Sequence, residues 1–227
     1  MTLFEFGKKM IERHPKLIKV SALVHNKIFY GSIKKTGMNN SIKTQNSFLR
    51  KCKFHIDGND NSIKIGEKCV LYNCSFNIRG NENEVVIDNM VCAYNTEFHI
   101  EDDNNKISIG KGTLFCGKVH LACIEGTSIF IGNDCLFSSD IVFRTGDSHS
   151  ILNLSGERIN KSKDINISEH VWIGNRVHIN KGVEIRKDSI VATGAIVTSP
   201  VEEYNVIIGG VPAKIIKRNI SWDKNRI

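Results

Sequence analysis

The stretch RTGDSHSILNLSGERINKSKD, residues 144–164, sets one histidine beside one aspartate, Asp147-Ser148-His149, in a polar run. An imidazole, with an ordinary pKa of about 6.5, can take a proton from a weak nucleophile and return it near neutrality. A neighbouring carboxylate can fix which ring nitrogen carries that proton, and two residues' separation on a loop makes the contact easy. Unpatterned insertions of this length inside a compact domain usually carry function. The other histidines are placed differently. His55, His99 and His120 fall in regularly spaced columns, and His170 and His178 fall at turn or strand positions. His149 is therefore the expected base. A shared zinc would need three converging imidazoles, and 149, 170 and 178 lack a close pair, so no metal is expected.

The elements that must hold this loop are written on either side of it. In INISEHVWIGNRVHINKGVEI an aliphatic residue returns every six positions, at Ile167, Ile173, Ile179 and Ile185. That period fits neither an amphipathic helix nor a two-residue alternation. Before the loop the step is longer: Ile65, Ile87, Ile109 and Ile131 are each 22 apart, as are Phe54, Phe76 and Phe98, with Ile56, Ile78 and Ile100 two places behind. The polar stretches DGNDN, RGNEN and EDDNN recur between them.

A chain coiling in flat strands satisfies both rhythms. A six-residue side is roughly 20 Å long, three sides close a triangular winding of about 18 residues, and windings stack about 4.8 Å apart. A second inward position follows each hexad's first by four: Val171, Val177, Val183, Ser189 and Ala195, with NR, KG and KD at 175–176, 181–182 and 187–188 as turns. A 22-residue step is the same winding with a four-residue polar bulge at one corner. The expected fold class is an all-β solenoid. Cys69 and Cys135 share a column with Val91 and Thr113, and Cys52 stands one step before Cys74. Such thiols read as small buried hydrophobes rather than nucleophiles.

The rhythm is absent from residues 1–50. A helix over Leu3–Arg13, ended by Pro15, would cap the first winding. Domain boundaries follow: a cap over 1–50, the solenoid over 51–212 with its excursion at 144–164, and a short C-terminal helix and tail over 213–227. Residues 1–53 hold twelve Lys/Arg against Glu5 and Glu12, although the whole 227-residue chain carries only +7. That basic end is expected to be drawn to an anionic surface, a membrane or an acidic polymer. No aromatic-interleaved basic motif points to nucleic acid. Seven cysteines without a C-x-x-C pair, no apolar run of spanning length and no cleavable leader point to the cytoplasm, with membrane contact confined to residues 1–50.

DSH before an excursion, VWIGNRVHINKGVEI, SIVATGAIVT and the closing GGVPAK occur in this order over residues 140–217. In this set the chain resembles the hexapeptide-repeat acyltransferases, the left-handed parallel β-helix proteins, in their sugar and polysaccharide O-acetyltransferase branch. Arg186 departs from the glycine usual there, and the 22-residue windings belong to only some members. The resemblance implies a homotrimer, with acetyl-CoA lying between two neighbouring helices and acetyl passing directly to a glycan hydroxyl. It implies His149 as general base, with Asp147 or a backbone carbonyl fixing its tautomer. A backbone N–H near Trp172–Asn175 would serve the oxyanion. Asn175 would contact the pantetheine arm, Thr193 would meet it one winding later, and Thr198 and Ser199 would continue that edge. Lys214 and Lys217 would meet the CoA phosphates, and Trp172 would line the acceptor or thioester end. A nucleotide-linked amino sugar or an antibiotic stands as the alternative acceptor.

Overall fold

The computed structural model describes Ala22, Asn26 and residues 30–225. The chain winds into three parallel sheets that form the faces of a prism: sheet A has eight strands, sheet B seven and sheet C nine. Each winding passes through C, then A, then B, so every strand pairs with the strand one winding on. This is the expected left-handed parallel β-helix. Phe54, Phe76 and Phe98 lie in register across sheet A, and Ile65, Ile87, Ile109 and Ile131 across sheet B. After the excursion the step shortens to the hexad rhythm, with His178 beside Ile196.

These columns are the core. Phe76 stacks on Phe54 with ring centroids 4.6 Å apart and on Phe98 at 4.5 Å. The second inward column, Val171, Val177, Val183, Ser189 and Ala195, is fully buried. So are Cys52, Cys69, Cys74 and Cys135. Burial pushes the Cys69 thiol up to about 11 and that of Cys135 to about 12, which removes both as nucleophiles at neutral pH.

The corners turn through left-handed residues, among them Lys68, Met90, Asp134, His170 and Asp188 where sheet B passes into sheet C. At the corner from A to B, Gly58 has φ +129°, and a Cβ there would sit 1.9 Å from the carbonyl oxygen of Gly80. Only glycine fits that approach. The polar bulges seen as loops in the sequence are partly core. Asn61, Asn83 and Asn105 are buried at this corner and form a ladder. Each side-chain oxygen accepts the next backbone N–H: Asn83 N–H to Asn61 Oδ1 at 3.0 Å, Asn105 N–H to Asn83 Oδ1 at 2.9 Å, and Thr127 N–H to Asn105 Oδ1 at 3.0 Å. The ladder ends where the Thr127 hydroxyl donates to the Ile124 carbonyl and meets the Thr145 hydroxyl, each at 2.7 Å. Thr145 is the foot of the excursion.

Two boundaries differ from expectation. The solenoid begins at Gly31 rather than at residue 51: Gly31–Thr36, Ser41–Thr44 and Phe48–Arg50 already form a winding. Its columns are hidden in the sequence because it is the edge winding, where Lys35 stands beside Ile56. Tyr30 stacks on Phe54, and Asn26 accepts from the Leu49 N–H, so residues just before the first strand do cover it. The expected helix over Leu3–Arg13 lies outside the described residues. At the other end no helix follows residue 212 among the described residues. Ala213–Lys217 is a strand, antiparallel to Ile207–Gly210. Ala213 and Ile215 pack on the core while Lys214 and Ile216 are exposed, an alternation that suits a strand closing the sheet edge.

Candidate functional site

The strand Ile141–Arg144 leaves sheet A, and pairing resumes at Ile165–Ile167, where Ile131 meets Ile167. The residues between form the excursion at the A–B corner, and His149 is exposed on it. Its ring has no hydrogen-bond partner among the described residues. The segment around it is nevertheless tied down. Asn160, 7% exposed, donates through Nδ2 to the His149 carbonyl at 2.7 Å and to Asp147 Oδ2 at 2.9 Å. Its own Oδ1 accepts the Ile151 N–H at 2.8 Å. Lys181, at a corner of the next winding, donates to Asp147 Oδ2 and to the Asn160 carbonyl. Glu125 binds the far limb through Arg158 at 2.6 Å and Ser162 Oγ at 2.8 Å.

Asp147 therefore faces Lys181 and Asn160, not the imidazole that follows it two residues later. The Lys181 ammonium, and after it the Asn160 amide, hold its carboxyl below the usual carboxylate range. A carboxylate with a lowered folded pKa stabilises above the ordinary Asp range, and that contribution is lost as pH falls through the lowered value. Asp147→Asn is expected to cost about tenfold or less in kcat, because the amide oxygen still accepts from both donors. The melting difference between wild type and Asp147→Asn should close in acid. A loss as deep as that of His149→Ala would instead mark Asp147 as the partner of the ring.

The remaining expected residues divide by corner. Thr198 and Ser199 end a sheet A strand and share the A–B corner with Asp147 and His149. Asn175 and Thr193 lie at the C–A corner in successive windings, joined by the Gly194 N–H on the Asn175 carbonyl at 2.8 Å. Thr198 and Ser199 therefore do not continue the Asn175–Thr193 edge within one chain; the whole of sheet A lies between. Asn175 donates to Ser139 Oγ at 2.8 Å, and its Oδ1 is buried without a partner among the described residues. Lys214 and Lys217 are exposed on the closing strand of sheet C, beside Gly209 and Ile207. Trp172, 37% exposed, stands on the outer face of sheet C next to Leu136 and Ile190.

The expected oxyanion donors are partly spent: the Trp172 N–H binds Ser189 O at 3.0 Å and the Gly174 N–H binds Val191 O at 2.8 Å. The Trp172 indole N–H, by contrast, has no partner among the described residues. His170 and His178 take no place beside His149; His170 binds Asp188 at 2.8 Å, and His178 projects from sheet A. His120 and His99 pair with Glu97 and Glu101 at 3.1 and 3.2 Å. A hollow of about 240 Å³ beside the excursion is lined by Glu97, His99, His120, Arg144 and Ser148, and His149 is not part of its lining. A larger one of about 610 Å³ lies on sheet B and touches none of the expected site residues. Asn160 and Lys181 escaped the sequence reading because nothing in their spacing links residue 181 to residue 147.

No protein-family model matches the chain. It is 33% identical to the polysialic acid O-acetyltransferase of Neisseria meningitidis over 83% of this chain and 87% of that protein. Against the polysialic acid O-acetyltransferase of Escherichia coli O1:K1 it is 38% identical over 51% of its length, spanning 38% of that longer protein. The solved polysialic acid O-acetyltransferase OatWY superposes with a TM-score of 0.81 at 32% identity, over 86% of this chain and 93% of the other. Identity of about a third over 83% of this chain and 87% of the relative carries more than a shared fold. The chain belongs to the hexapeptide-repeat acetyltransferases, in their polysaccharide O-acetyltransferase branch.

Proposed function

We propose that this enzyme transfers acetyl from acetyl-CoA to a hydroxyl of an acidic bacterial surface polysaccharide, of the polysialic acid class for which its relatives are named, and that His149 is the base. The observation that carries this reading is an exposed imidazole without a hydrogen-bond partner among the described residues, on a loop whose backbone is fixed by Asn160. The ring takes the hydroxyl proton as the oxygen attacks the thioester carbonyl. A carbon–oxygen bond forms, the carbon–sulfur bond breaks, and the proton passes to the departing sulfur. The Trp172 indole N–H is one donor available to the carbonyl oxygen as charge develops on it. Asn175 lies at the corner along which the pantetheine arm would run, and Lys214 and Lys217 suit the CoA phosphates.

These groups do not meet in one chain. His149 sits at the A–B corner, while Asn175, Thr193 and Trp172 belong to the C–A corner and sheet C, each a full prism face away. A homotrimer in which one copy's excursion approaches another's sheet C completes the site, and so the reading includes that assembly. No helix among the described residues is long and apolar enough to cross a membrane. A cytoplasmic location, with residues 1–50 touching the inner membrane face, is part of the proposal; residues 1–21 lie outside the described structure.

The test is CoA release from acetyl-CoA against polysialic acid, a neutral glycan and a nucleotide-linked amino sugar, with light scattering on the same sample. Turnover on the acidic polymer by a trimer is expected. Turnover confined to the amino sugar, or an active monomer, would overturn the reading.

A further inference from the structure

After its last strand the chain turns back along the B–C corner. The Ile220 N–H donates to the Asn205 carbonyl at 3.0 Å, and Asn205 Nδ2 returns a bond to the Ile220 carbonyl at 3.1 Å. Lys224 reaches the Gly112 carbonyl at 3.1 Å, four windings down the same corner. Between these anchors Trp222 is pressed onto the solenoid and is only 9% exposed. Its ring stacks on His170 at 4.2 Å and 8°, its Nε1–H binds the His170 carbonyl at 3.0 Å, and its indole meets Trp172 at 6.0 Å and 44°. His170 is itself fixed, in a left-handed corner conformation and bound to Asp188.

Trp172 would otherwise stand on an open outer face of sheet C, with aliphatic neighbours along its column and no hydrogen bond of its own to choose a rotamer. One flank of its indole is closed by Trp222. We infer that Trp222, carried on this C-terminal strap, is a positioning residue for the reaction: it holds the Trp172 indole so that its N–H keeps one direction. The inference rests on the reading of Trp172 as a site residue. A ring free to swing would spend much of its time aimed elsewhere, and misplacement of about 1 Å in a reacting array can cost up to about 100-fold.

These two are the chain's only tryptophans, so removing Trp222 leaves Trp172 as the sole indole emitter. The experiment compares Trp222→Ala, Trp222→Phe, Trp172→Ala and the Trp172→Ala/Trp222→Ala double variant in the full-length chain. Each is followed by kcat and KM for acetyl-CoA, melting temperature, and acrylamide quenching of the remaining emission. Trp222→Ala is expected to lower kcat by about tenfold or more at nearly unchanged KM. Its Trp172 emission should be quenched more readily than in Trp222→Phe, which keeps the flat contact and most of the turnover. The double variant should be no slower than Trp172→Ala, because Trp222 acts only through that ring.

If Trp172→Ala is impaired while Trp222→Ala turns over at the wild-type rate, the inference falls and the reading of the site stands. If Trp172→Ala is itself silent, the role of Trp172 falls and the inference with it. Losses that multiply in the double variant also overturn it, since Trp222 would then act independently. Trp222→Phe guards against a variant that merely fails to fold: loss of turnover in it, with melting as in wild type and Trp172 less readily quenched than in Trp222→Ala, counts against positioning.

Discussion

His149→Ala is expected to lower acetyl transfer by about 10²- to 10⁴-fold in kcat, the range associated with a lost general base. Oligomeric state, melting temperature and acetyl-CoA affinity should stay near wild type. The two halves of this expectation have separate causes. The ring is exposed and accepts or donates no hydrogen bond among the described residues, so its removal leaves no buried group unsatisfied. Exposed substitutions of that kind usually stay within about 0.5 kcal/mol. The backbone of residue 149 is held independently through its carbonyl on Asn160, so alanine inherits the same loop. His149→Gln is the sharper companion, since an amide can still meet a hydroxyl but cannot carry its proton near neutrality. It should be nearly as slow as alanine. Turnover of acetyl-CoA at the wild-type rate in either variant would remove His149 from the chemistry while leaving the family and fold untouched.

What the sequence disclosed follows from how local each signal is. Phe54, Phe76 and Phe98 could be read because inward positions repeat at a constant step and each must be filled by something large and apolar. The excursion could be read because it breaks that step. The first winding was not legible. It lies at the solenoid's edge, where a lysine at position 35 can take the place that isoleucine holds at position 56. The sequence reading places a helix over the closing strand because PAKIIKR also spaces its cations as a helix face would; the strand is decided by the open edge of sheet C, which Ile207–Gly210 presents to the chain as it turns back. Asp147 shows how far spacing alone stands from contact. Two residues from His149, it looked like the natural partner of the ring, yet its carboxylate turns to Lys181, which only the stacking of windings brings near. The buried asparagines read only as polar corner bulges because composition alone cannot tell a polar turn from a hydrogen-bonded ladder.

The second large effect concerns the solenoid itself. Phe76→Ala should lower the unfolding free energy by about 3–5 kcal/mol, from lost burial together with an uncollapsed cavity. Phe76 is fully buried between two rings, Phe54 and Phe98, each in parallel stacking. Each such pair adds about 0.5–1.5 kcal/mol beyond area. The cavity cannot close easily, since winding spacing is set by the backbone ladders above and below. Against a total stability of about 5–15 kcal/mol, this is a shift that denaturant titration resolves readily, and Phe76→Leu should recover part of it. In a repeat architecture each winding touches mainly its neighbours, and three steps along sheet A separate the Phe76 strand from the strand that bears the excursion. The folded fraction of Phe76→Ala is therefore expected to keep the wild-type kcat, so that stability and turnover come apart in this variant as they do, in the opposite sense, in His149→Ala. A loss of kcat per folded molecule would show that the windings communicate over that distance and that the loop is held by more than its own anchors.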